Sequence, residues 1–166
     1  MKTQTLSNTR LRRLRAQGFE TQSDAELTNL SFGIRFAYRL CITIMIVGLL
    51  MQSIEMFAFL MLVAFSSILM PNHLFDYFYN HLMSRRMNLP KLPPRSKQLK
   101  FACTIATSWL ATIIYFMNAG DMMVASILTG MFIIIALLPS TIDLCVPSII
   151  YNAIFRKNRV KNSITI

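Results

Sequence analysis

Apolar residues along this chain fall into four blocks, separated by short polar stretches and one long basic one. The blocks span about Phe32 to Met51, Ile54 to Met70, Leu99 to Met117 and Met122 to Leu138. A helix rises about 1.5 Å per residue, so about 20 apolar residues cross the roughly 30 Å hydrocarbon layer of a bilayer. The second block is the shortest and is marginal by itself. Pro71 interrupts it, and residues 72–83 then mix Phe75, Tyr77, Phe78 and Tyr79 with polar groups, the composition of a helix lying at the membrane interface. Pro139 ends or kinks the fourth block, and Ile142 to Phe155 continues as a second apolar helix interrupted by Asp143 and Pro147.

The pattern predicts an all-α polytopic membrane protein with four transmembrane helices in two similar hairpins, each followed by a proline-broken helix on the cytosolic side. Residues 31–83 form the first hairpin with its interfacial helix, and 99–155 the second with its broken helix. A proline-rich basic linker, 84–98, joins them. Residues 1–30 and 156–166 are polar, basic tails. For the N-terminal tail no signal-peptide pattern is evident, so it is read as retained in the cytosol, with 8–17 either a short amphipathic helix or disordered. Thr104 and Ser108 at helical spacing, and the pair Ser126-x-x-x-Gly130, are expected to pack helix against helix, because small and hydroxylated residues let backbones approach.

Composition sharpens this picture through where the charges fall. Of 166 residues, 54% are hydrophobic and 14% charged, yet the net charge is +10. A soluble chain so basic would suggest nucleic acid. Here every Lys and Arg lies in or beside a tail or the central linker, and none lies in the turns around 52–55 and 118–121. That is the positive-inside pattern, with both termini cytoplasmic, and it makes anionic lipid headgroups the expected partner in place of nucleic acid. Arg85, Arg86, Lys91, Arg95, Lys97 and Lys100 are the residues expected to meet those headgroups or an acidic partner. Other membrane-protein subunits, or further copies of the chain, are the expected protein partners.

The halves also share an order of marks. Ile34-Arg-Phe-Ala37 aligns with Leu99-Lys-Phe-Ala102, then Glu55 with Asp121, Pro71 with Pro139, Asp76 with Asp143, and Tyr79-Asn80 with Tyr151-Asn152. The order predicts a parallel internal repeat.

Candidate chemistry is sparse. Cys41, Cys103 and Cys145 all fall towards the cytosolic face, where a reducing compartment argues against disulfides; a thiol cluster and three small hydrophobic residues are the alternatives. Asp143 inside an apolar helix requires a partner or a functional reason. Cys145 is therefore the candidate thiol and Asp143 the candidate acid. His73 and Asp76, one turn apart, are weak candidates for a metal site. Phosphate-binding loops, Ser/His/Asp sets and zinc-protease signatures do not occur, and no cofactor is called for.

The second half resembles a bacterial membrane family described as domain of unknown function 4395. The likeness covers about residues 30–155. It rests on Pro93-Pro94 leading into Lys100-Phe101-Ala102 and on the end of the last block. The family pattern there is Leu-Glu-Ser, three residues, then Cys-x-Gly-Cys-x-x-Tyr, where this chain has Leu138-Pro-Ser140 and Cys145-Val-Pro-Ser-Ile-Ile-Tyr151. Ser148 stands in place of the second cysteine and Pro139 in place of the acid. The resemblance implies a bacterial inner-membrane protein without an assigned activity, with a link to thiol chemistry at most. A lone Cys145 forms mixed disulfides or carries a persulfide but cannot close a disulfide with a neighbour. The leading expectation is a non-enzymatic subunit or scaffold of a membrane complex. A thiol or sulfur-relay component using Cys145, and a small oligomeric transporter, are the alternatives.

Overall fold

The computed structural model describes residues 6–86 and 89–156, whose regular structure is all helical, with no strand among them. Helix α1 is Asn8–Ala16, α2 Asp24–Leu50, α3 Ile54–Leu69 and α4 Leu74–Phe78. A π-helical turn, Tyr79–Met83, continues α4 into the short α5, Ser84–Arg86. Then follow α6, Lys97–Asn118; α7, Met122–Ile142; and α8, Val146–Tyr151, which runs on as a π-helical turn over Asn152–Arg156. The C-terminal tail lies outside the described residues.

Helix starts follow the local chemistry. The Ser23 side chain accepts from the Glu26 backbone N–H, and Glu26 accepts in return from the Ser23 N–H at 2.8 Å, a reciprocal cap that fixes the start of α2. Ser53, Ser96 and Asp121 cap α3, α6 and α7 in the same one-sided way, each accepting from a backbone N–H three residues on. The connections between α2 and α3 and between α6 and α7 are turns of three residues.

Helices α2, α6 and α7, of 27, 22 and 21 residues, are long and apolar enough to cross a membrane. Helix α3 has 16 residues, about 24 Å at the standard rise. It reaches the required length only together with Leu74–Arg86, from which it is bent by 84°. The structure thus holds three candidate spans, or four if the bent pair counts as one. The fourth apolar block departs from expectation: α7 runs through Pro139 to Ile142 and stops at Asp143, which takes the left-handed conformation at φ 58°. Ser140 and Thr141 both donate to the Leu137 carbonyl, which supplies local partners around the proline.

Packing interleaves the two halves. Helix α3 lies most extensively on α6, and α2 on α7, so each hairpin's helices find larger contacts in the other half than across their own turn. Phe57, Leu60, Val63, Leu110, Ile113 and Met117 form the centre of this bundle core. Trp109 of α6 donates to the Leu128 carbonyl of α7 at 3.0 Å and stacks on Phe132. A second core sits at the end of the bundle where the tail and linker gather. There α1, through the buried Leu11 and Leu14, packs with Leu30, Ile34, Tyr79 and Leu99. The N-terminal tail thus uses its apolar face against the protein itself.

Tyr79 is fully buried, and its ring fills the space that Gly33 leaves on α2: a Cβ at Gly33 would sit 2.6 Å from the ring. Gly130, by contrast, has open space around it. Gly33→Ala is therefore expected to lower stability by about 1–3 kcal/mol, the usual penalty of overpacking, whereas Gly130→Ala leaves it unchanged or slightly raised. Thermal unfolding of the two variants in detergent checks the pair.

Candidate functional site

Every long helix contributes to one internal cavity of about 110 Å³. Most of its wall is apolar, built from Ala, Leu, Ile and Phe side chains. Its polar groups are Tyr38 and Cys41 of α2, His73 between α3 and α4, Arg95 of the linker, Cys103 of α6 and Cys145 just before α8. All three thiols of the chain therefore face one space, and none is in a disulfide.

Arg95 is placed there by the linker. Its backbone N–H donates to the Pro71 carbonyl at 2.7 Å. Its Nε donates to Asp76 Oδ2 at 2.6 Å, its Nη2 to Asp76 Oδ1 at 3.1 Å, and its Nη1 to Cys103 Sγ at 3.6 Å. Burial pulls the guanidinium down, but the Asp76 carboxylate more than offsets it, and the net direction is up. Asp76 is in turn held at the start of α4, where it accepts from the His73 N–H while His73 Nδ1 accepts from the Phe75 N–H. Asn80, one turn further on, exchanges two hydrogen bonds with the Leu92 backbone and pins the linker on the other side.

Asp143 anchors a parallel arrangement at the end of α7. The carboxylate, fully shielded from solvent, accepts from Arg10 Nε at 2.7 Å and from both Nε and Nη2 of Arg35. Burial pushes the Asp143 carboxyl above its ordinary range, against the opposing pull of Arg10. Gln17 Nε2 donates to the Asp143 carbonyl at 2.8 Å, and Arg10 and Arg13 donate to the carbonyls of Thr141 and Ile142 at the end of α7, where cations complement the helix dipole. Asn152 donates to the Ala16 carbonyl at 2.7 Å. Asp76 and Asn80 thus hold the segment that precedes α6, and Asp143 and Asn152 hold the segment that precedes α2.

The residues singled out from sequence separate accordingly. Cys145 and Asp143 both lie in the buried connection between α7 and α8, but the carboxylate is taken up by arginines. His73 and Asp76 serve a helix cap and an ion pair, and among the described residues no three His, Cys, Asp or Glu side chains are grouped closely enough to hold a metal ion. Arg85, Arg86, Lys91 and Lys97 are exposed. Arg95 departs from the headgroup role expected of it, because Asp76 draws it inward; Lys100 also turns in and donates to the Ile68 carbonyl. Thr104 and Ser108 are exposed and bond carbonyls of their own helix, and Ser126 does the same while partly buried. Sequence reasoning passed over Tyr38, Arg10 and Gln17, whose roles depend on distant partners. Arg35 stands out in the sequence only as the cation of Ile34-Arg-Phe-Ala37, which does not point to its buried pairing with Asp143.

Removing one member of a buried ion pair leaves the other charge uncompensated. Arg95→Met or Asp76→Leu alone is expected to cost about 3–5 kcal/mol, and the double variant much less than the sum. A double-mutant cycle by thermal or denaturant unfolding measures the difference.

No curated protein and no solved structure matches the chain. Residues 31–156 match the family described as Domain of unknown function (DUF4395), a stretch that takes in the cavity, both buried aspartates and all three cysteines. The chain belongs to that family.

Proposed function

We propose that this is a thiol-dependent component of a bacterial cytoplasmic membrane, with both termini in the cytosol, and that Cys145 is its entry thiol. One observation carries the reading: Cys41, Cys103 and Cys145 arrive from three separate segments and line the same cavity, beside a guanidinium. Tyr38 and His73 supply further polar groups to the lining of the same cavity. With Ser148 in the position three residues on, Cys145 has no partner within its own turn, so it works by mixed disulfide or persulfide and passes its cargo elsewhere.

The basic tails and linker support the orientation. Exposed Arg85, Arg86, Lys91 and Lys97 lie on the linker side of the bundle, where anionic headgroups would hold them. A second reading, a packing subunit of a larger membrane assembly, draws on the outward faces of α6 and α7. Thr104 and Ser108 border a shallow groove with Trp109 and Leu128, and Gly130 has room for a neighbouring backbone.

The two readings diverge in mutants. In native membranes, Cys145 is expected to carry a persulfide or mixed disulfide by mass spectrometry, and Cys145→Ala to abolish function while leaving assembly intact. If instead Cys145 is a plain thiol and Cys145→Ala is silent, while Ser126→Leu or Gly130→Leu disrupts a stoichiometric complex, the subunit reading holds and the thiol reading fails.

A further inference from the structure

Cys145 faces two spaces. Besides the internal cavity, it lines a groove of about 230 Å³ between α1 and α8. The other walls that matter are Arg12, Arg13, Gln17 and Ser148. Two of these carry polar atoms without a hydrogen-bond partner among the described residues: Gln17 Oε1 and Ser148 Oγ, in side chains that are 1% and 0% exposed. A buried polar atom left without a hydrogen bond is costly, so two at one site, bordering one groove, call for a ligand. Gln17 cannot turn its amide away, because Nε2 is committed to the Asp143 carbonyl. Its Oε1 therefore requires a donor. Ser148 Oγ can donate or accept, and the arginines at the rim favour an anion.

We propose that this groove is the binding site for a small anionic disulfide built from amino-acid units, the cystine and glutathione disulfide class, which Cys145 attacks. This rests on the thiol reading above and names its substrate class. The carboxylate meets Arg12 and Arg13, an N–H of the ligand meets Gln17 Oε1, and Ser148 Oγ takes a remaining polar group. The chemistry is thiol–disulfide exchange: the Cys145 thiol gives up its proton to solvent, its thiolate forms a bond to one ligand sulfur, and the ligand S–S bond breaks. The second half of the ligand leaves as a thiolate and takes up a proton. One disulfide is consumed and one formed, with no outside oxidant. The position of Cys145 between groove and cavity then sets the mixed disulfide beside the other two thiols.

The test uses the full chain purified in detergent, with adduct formation at Cys145 followed by mass spectrometry. Glutathione disulfide is compared with the uncharged hydroxyethyl disulfide. The expected result is faster modification by glutathione disulfide, and a loss of about tenfold of that advantage in Arg12→Gln, whose side chain is at the exposed rim. Ser148→Ala should slow the charged reagent and not the neutral one. Unchanged melting temperatures in both variants verify that the fold is kept. Equal rates for the two reagents in the wild-type chain, or no effect of Arg12→Gln on either, would overturn the anionic site while leaving a reactive Cys145. Failure of both reagents to modify Cys145 would overturn this proposal and the thiol reading together.

Discussion

Two carboxylates are buried at the same end of the helical bundle, and neither could remain there without its arginine. An isolated ionised carboxylate in a low-dielectric interior costs far more than a domain's net stability, so the chain must bring cations to Asp76 and Asp143. Arg95 reaches Asp76 from the linker; Arg10 and Arg35 reach Asp143 from the tail and from α2. Because Arg95 and Arg10 sit in segments that would otherwise trail in water, their ion pairs, together with the apolar contacts of Leu11, Leu14 and Leu92, hold the tail and the linker on the bundle. The second core, around Leu14, Tyr79 and Leu99, and the walls of both the cavity and the groove depend on that folding.

The same constraint links the halves. Each aspartate fixes the approach to the first helix of the other half, and the long helices repeat the exchange, α2 packing on α7 and α6 on α3. Tyr79 packs against Phe36 in one half and Tyr151 against Phe101 in the other. The surroundings of the two aspartates differ: Asp76 is linked through Arg95 to the Cys103 thiol, and Asp143 is enclosed by the N-terminal tail.

For function, the consequence is that the thiols and the polar ends of the helices share a boundary. Helix α1 of the tail walls the groove that Cys145 also lines. The arginines therefore serve different ends by depth. Arg95 and Arg35 are inside and hold the architecture, while Arg12 stays at the surface on the rim of the groove.

The apolar blocks by themselves determined the class of the protein and most helix boundaries, since an apolar run of fixed length has few other uses, and serine and aspartate caps mark where helices begin. The family likeness was legible in the same way, through Pro93-Pro94, Lys100-Phe101-Ala102 and the surroundings of Cys145. Partner identity was not. Arg95 and Lys97 look alike in a basic linker, and only the fold places one against Asp76 and leaves the other exposed. The inward turn of Tyr79, the run of α7 past Pro139 and the meeting of three cysteines separated by 62 and 42 positions were likewise decided by tertiary packing. Long-range contacts depend on how helices cross, and local sequence carries no record of which distant charge a carboxylate will find.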